Sequence, residues 1–156
     1  MLSGTDRLAP NNAPLPRSSR LQTIEGLAGA PPPEEVASKW RPIEWQLYLE
    51  SLSADVAVED LAALDARFHL TQAINYDVLE KWLTRAIRAG YAPGLARAEE
   101  VLASVGRMKY LRPLYQALAE RPESRGLARE WFARFEPRYH PIAREVVQHV
   151  LALADA

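Results

Sequence analysis

The strongest constraint on how this chain can fold is one apolar stripe. Val78, Leu79, Trp82, Leu83, Ala86 and Ile87 recur at three- and four-residue steps between Asn75 and Gly90. That period gathers the apolar groups on one side of an α-helix and on no single face of a strand. Asn75 is a residue type that caps a helix start, and Gly90 one that ends a helix. Opposite the stripe, Asp77 and Lys81 stand at the i, i+4 spacing of a helix-surface ion pair.

The same period recurs on both sides of that segment. Val58 to Phe68 carries Leu61, Leu64 and Phe68 on one face, with Glu59 and Asp60 near the positive helix start and Arg67 near its end. Ile43, Trp45, Leu47 and Leu49 alternate as a strand would, but Pro42 suits a first helical position and no β-branched residue follows Ile43. This segment is therefore read as helix. Pro93 opens and Gly106 closes a helix whose inward face is Leu95, Ala98, Val101, Leu102 and Val105. Three more come after it: Lys109 to Glu120 with Pro113 inside its first turn, Glu123 to Phe135, and Pro141 to Leu153. Upstream, residues 1–17 read as an extended linker rich in Pro and Asn, and Arg20 to Ala28 as a short helix between Ser19 and Gly29. Pro31, Pro32 and Pro33 stiffen the connection to the helices downstream. The reading is all-α, with one domain over 18–156. Short connections make successive helices antiparallel neighbours, stacked as a bundle or as a superhelix of helix pairs. No signature repeats at a period of roughly 34 to 45 residues, which argues against a consensus repeat array.

Composition matters here for what it removes. With 156 residues, 48% of them hydrophobic, the chain can bury a core of its own. It has no cysteine, so disulfides and thiolate metal sites are excluded. A formal charge of -1 supplies no overall basic field for nucleic acid, and the basic residues from Arg107 to Arg138 are interleaved with Glu120, Glu123, Glu130 and Glu136. No apolar run reaches the roughly 18 to 20 residues of a membrane span. No nucleic-acid or membrane partner is expected, and a cytoplasmic location is.

His69, His140 and His149 show neither an H-E-x-x-H arrangement nor an i, i+4 pairing, so no zinc site within this chain is expected. His140, before Pro141, suits a helix cap or turn, and His149 a helix face. There is no G-x-S-x-G and no glycine-rich phosphate loop, so no catalytic residue is assigned. Trp40, Trp45, Trp82 and Trp131 sit at helical spacing among apolar residues and are read as core, although an aromatic buried between domains would look the same.

One stretch breaks local rules. In Gly106-Arg107-Met108-Lys109-Tyr110-Leu111-Arg112-Pro113-Leu114-Tyr115, three cations crowd a helix start, where the macrodipole and unpaired N–H groups favour anions. Such a stretch is either a solvated basic turn or a trap for a carboxylate or phosphate.

The Gly-Arg-Met-Lys-aromatic segment followed by Arg-Pro resembles the signature of the C-terminal helical domain of leukotriene hydrolase type zinc aminopeptidases, of the gluzincin family. Ala73-Ile74-Asn75 leading into Trp82-Leu83, and His140-Pro141 opening the last helix, agree in order and spacing. The resemblance covers roughly residues 36–152, and the proline-rich lead-in looks like a tether to a catalytic domain. It implies a two-layer antiparallel α-α superhelix, armadillo- or HEAT-like, closing one side of a peptide cleft. It implies that zinc is bound by a catalytic domain outside this chain, which would be this domain's partner. It further implies that Arg107 and Lys109 hold the C-terminal carboxylate of a short peptide; Arg112 matches the pattern without an assigned role. Lacking the zinc motif, the chain is expected to be a non-catalytic piece or relic of such an enzyme. From a different class, a free-standing helical-repeat module binding a protein segment on its concave face stays open.

Overall fold

The computed structural model describes residues 31–155, and the segments read as a linker over 1–17 and a helix over Arg20 to Ala28 lie outside them. Eight α-helices are present among the described residues, and no strand. They are α1 (Glu34–Ala37), α2 (Pro42–Ser51), α3 (Val58–Phe68), α4 (Tyr76–Ala89), α5 (Ala92–Ser104), α6 (Met108–Glu120), α7 (Pro122–Phe135) and α8 (Pro141–Asp155). Short 3-10 turns come after α3 at Leu70–Gln72 and after α7 at Glu136–Arg138. None of the described helices is long and apolar enough to cross a membrane.

Ion pairs and side-chain hydrogen bonds between helices set the direction of the stack. Lys109 near the start of α6 meets Asp77 near the start of α4, and Arg88 near the end of α4 meets Glu120 at the end of α6. The two helices are therefore parallel, with α5 returning between them. Arg85 of α4 donates to the carbonyls of Leu49 and Glu50, which aligns the end of α2 with that of α4. Packing of α8 on α6 continues the row, so α2, α4, α6 and α8 form one layer. In the second layer, α5 and α7 also run parallel, joined by Arg134 to Glu99 and by Arg138 to the carbonyl of Ala103. From α4 to α7 successive helices therefore alternate in direction, as in the expected two-layer superhelix.

The core lies between the layers. Trp82, Leu83, Ala86 and Ile87 are fully buried, as are Leu102, Leu111, Leu114 and Leu118. Trp131 is buried with them, whereas Trp40 and Trp45 are half-buried and lean edge-on toward each other, with Trp45 also against Phe68. Gly94, which the apolar pattern passes over, sits where α5 meets α4: a methyl group there would lie 2.3 Å from the Cβ of Ala86. Its missing side chain allows the close approach of the two helices.

The helix ends obey local chemistry with three corrections. Asn75 Oδ1 accepts from the N–H groups of Asp77 and Val78 at 3.0 and 3.1 Å, and Gly90 adopts a left-handed φ of 77°. His140 Nδ1 accepts from the N–H of Ile142, the cap expected of it. Gly106, by contrast, terminates nothing, because α5 stops at Ser104 with Val105 already extended. Pro113 lies beyond the first turn of α6, which begins at Met108; having no N–H, it leaves the carbonyl of Lys109 without its helical donor. The third concerns Asp77 and Lys81, which do not form the expected pair: Lys81 turns to Glu50 at 3.0 Å and Glu80 at 3.5 Å.

Candidate functional site

Arg107 and Lys109 come together at the exposed start of α6. Arg107 is the N-cap residue, and its backbone carbonyl receives the first helical N–H groups while its side chain caps nothing. Val105 and Arg107 are both extended, which carries the chain outward before α6 begins. The two cations approach one aromatic ring: the Arg107 guanidinium carbon lies 5.9 Å and Lys109 Nζ 5.5 Å from the centroid of Tyr110. Cations are attracted to the face of such a ring, which holds both side chains near a common point.

The missing anion at this helix start is supplied from α4. Asp77 Oδ1 receives Lys109 Nζ at 2.5 Å and the Tyr110 hydroxyl at 3.1 Å. The bond from Lys109 lowers the Asp77 carboxyl below its ordinary range, with burial opposing and the Tyr110 bond assisting; Asp77 in turn raises the Lys109 ammonium. The excess of cations read along α6 is thus partly neutralised by a residue 32 positions away that helical spacing assigns to Lys81. No local signal reveals this, because the pairing exists only when α4 and α6 are packed side by side.

Beside these residues lies a shallow groove lined by Ile74, Asn75, Tyr76, Asp77, Arg97 and Tyr110. Ile74 is 94% exposed at its rim. Arg97 donates from Nη1 to Glu100 at 2.8 Å. Arg107 is exposed and makes no ion pair among the described residues. Of Arg107 and Lys109 it is the one left available to an incoming carboxylate; Arg97 is paired with Glu100 through Nη1, while its buried Nε has no hydrogen-bond partner among the described residues.

Arg112 goes elsewhere. It lines a separate groove between α6 and α8 with Gln116, Glu120, Glu145, His149 and Leu153, and so does not join Arg107 and Lys109. His69 ends α3 in the left-handed conformation, His140 caps the start of the last helix, and His149 lies within that helix. Among the described residues no three His, Cys, Asp or Glu side chains gather as a metal site would require.

The segment that leads to the groove is held by a polar network. Asp65 on α3 accepts from the N–H and hydroxyl of Thr71 at 2.9 and 2.7 Å and from the Tyr91 hydroxyl at 2.7 Å, while Trp82 Nε1 donates to the Thr71 hydroxyl at 3.0 Å. These bonds tie the 3-10 turn to α3, α4 and the start of α5, and so fix where Ile74 and Asn75 emerge.

Comparison with known proteins adds the family context. The family model described as leukotriene A4 hydrolase, C-terminal, matches residues 40–151. A leucine aminopeptidase 2 of Neurospora crassa is 30% identical over 129 residues, covering 81% of this chain and 19% of that protein. The leucine aminopeptidase 2-1 of Scheffersomyces stipitis is 41% identical over 86 residues, covering 51% of this chain and 13% of its own length. The chain therefore spans about a fifth or less of these relatives. The solved structure of native yeast LTA4 hydrolase superposes with a TM-score of 0.68 over 90% of this chain and 27% of that one, at 22% identity, a likeness of fold.

Proposed function

The chain belongs to the leukotriene A4 hydrolase C-terminal family, and on that premise we propose that it serves a zinc aminopeptidase as a non-catalytic domain that lines the peptide cleft and binds the substrate's C-terminal carboxylate. The aminopeptidase names of the relatives support the enzyme class. The observation that carries the carboxylate reading is the placement of Arg107 and Lys109 at 5.9 and 5.5 Å from the Tyr110 ring centroid, with Arg107 outside any ion pair of the described residues. A guanidinium can grip a carboxylate through two parallel hydrogen bonds, while the Lys109 ammonium, already paired with Asp77, plays the lesser part of a point charge beside it. Zinc, which hydrolysis in this family would require, does not fit the described residues of this chain. This domain's part in the reaction is to bind and orient, and the metal belongs to the catalytic domain it would adjoin.

The test uses this domain together with such a catalytic domain and short peptides with either a free or an amidated C-terminus. A hydrogen bond to a charged group contributes about 1.5 to 3 kcal/mol, so Arg107→Ala should lower kcat/KM on the free acids by roughly 10- to 150-fold. Arg107→Lys should rescue poorly, and Lys109→Ala should cost less. Amidated peptides should be cleaved alike by parent and Arg107→Ala enzymes, because the lost bond was never made with them. Equal losses on acid and amide would mean that Arg107 supports the fold or the interface.

A further inference from the structure

We propose that Asp77 is a specificity-determining residue of this site, matching it to peptides that end in one carboxylate and against peptides whose last side chain adds a second. The proposal rests on the carboxylate reading of Arg107 and Lys109 and concerns how much negative charge that pair accepts.

The basis is a charge count around one groove. Lys109 is committed to Asp77 at 2.5 Å, and the Tyr110 hydroxyl fixes the same carboxylate oxygen at 3.1 Å. Arg97, on the groove wall, is bound to Glu100 at 2.8 Å. The two pairs cancel, leaving the single charge of Arg107. One carboxylate neutralises it. A second carboxylate on the same ligand would meet Asp77, which lines the groove itself, and like charges placed together disfavour binding. Asp77 is held by two bonds from one neighbouring helix, so it cannot swing away without giving up both.

The experiment is a titration of the isotope-labelled chain with acetylated tripeptides ending in alanine acid, glutamic acid or alanine amide, monitored at the Arg107 guanidinium and Lys109 ammonium signals. In the native chain the glutamate-ended peptide should bind no more tightly than the alanine acid, and the amide should leave Arg107 unmoved. Asp77→Asn should improve the glutamate-ended peptide over the alanine acid by roughly two- to fivefold, the range of one exposed charge interaction. Asp77→Glu, which keeps the charge, should return the native ratio and so separates charge from any loss of helix structure. An unchanged ratio in Asp77→Asn, with Arg107 still responding to the acids, overturns this proposal alone. Arg107 signals that ignore the acids, or respond to acid and amide equally, overturn the carboxylate reading and this proposal with it.

Discussion

The hydroxyls of Tyr115 and Tyr139 lie 2.9 Å apart in the core, and Tyr139 donates onward to the carbonyl of Leu102 at 2.8 Å. Since Tyr139 gives its proton to Leu102, Tyr115 must be the donor between the two rings. This relay joins α6, the turn after α7 and the end of α5. In the last turn of α5 the N–H of Val105 bonds to the Val101 carbonyl, and the Leu102 carbonyl beyond it lacks a helical donor. The relay therefore also caps a helix.

Removing the middle of the relay should cost more than removing its end. Tyr139→Phe strands the Tyr115 hydroxyl and the Leu102 carbonyl together, and each buried unsatisfied group costs about 1 to 3 kcal/mol. Tyr115→Phe leaves the bond from Tyr139 to Leu102 intact and should cost about 0.5 to 1.5 kcal/mol. Urea denaturation of the two variants measures both, and equal losses would refute the assigned direction of donation.

These phenols should resist ionisation until the domain opens. Burial is the leading cause that pushes Tyr139 up to about 12 and raises Tyr115 as well. A folded pKa above the unfolded one means that their contribution to stability is complete below the unfolded value of about 10 and is lost as pH rises from there toward the folded value. Burial also pushes Tyr48 and Tyr91 up to about 12, so absorbance at alkaline pH should show Tyr115 and Tyr139 titrating late alongside them as the helical signal is lost, and the double phenylalanine variant should show two fewer late-titrating groups.

Thr71→Val keeps the shape of its buried side chain while deleting a hydroxyl that serves Trp82 Nε1 and Asp65 at once. Burying the indole N–H without a partner should cost about 1 to 3 kcal/mol. Because the turn it holds leads to Asn75 and the groove, the amide signals of residues 73–77 should shift more than those of α8. A variant as stable as the parent would show that the network adds nothing.

Gly94→Ala places a methyl group against Ala86 Cβ, 2.3 Å from it in the undisturbed structure. Overpacking of this kind costs about 1 to 3 kcal/mol, even though alanine favours the helix by about 1 kcal/mol over glycine. Ala86→Gly in the same chain should recover much of the loss by vacating the methyl on the other side. Thermal melts of the single and double variants decide it: additive losses would mean that the two residues do not meet.

Asp77 should lend the domain a stability that depends on acid and on salt. Its carboxyl is lowered by Lys109, so its contribution is present above the unfolded value of about 3.9 and is lost as pH falls through the folded one. Glu80 works in the opposite sense, because burial raises its carboxyl and protonation relieves the cost of burying its charge. The Asp77 carboxyl resonance should titrate below the usual range at low salt and move back toward it at high salt, the pair being largely exposed.

What the sequence determined by itself is everything that acts along a single helix. The period of Val78, Leu79, Trp82 and Ile87 dictates a helix and its buried face because the spacing of side chains on a helix is a property of the backbone, whatever surrounds it. Asn75 and Gly90 mark its ends for the same reason, since a cap bonds within a few residues of itself. The cluster of Arg107 and Lys109 is visible as a breach of helix electrostatics, which is again local. Only the tertiary structure decided which charges meet: Asp77 has an i, i+4 candidate in Lys81, yet it pairs with Lys109 across the layer, and Lys81 reaches Glu50. Long charged side chains on an exposed face have several partners of similar energy within reach, so the packing of neighbouring helices selects among them. Gly94 and Arg112 obey the same logic, one given meaning by the closeness of Ala86 and the other drawn into a different groove from Arg107. A contact between helices depends on the distance and rotation between two axes, and neither quantity is written in the apolar period of either helix.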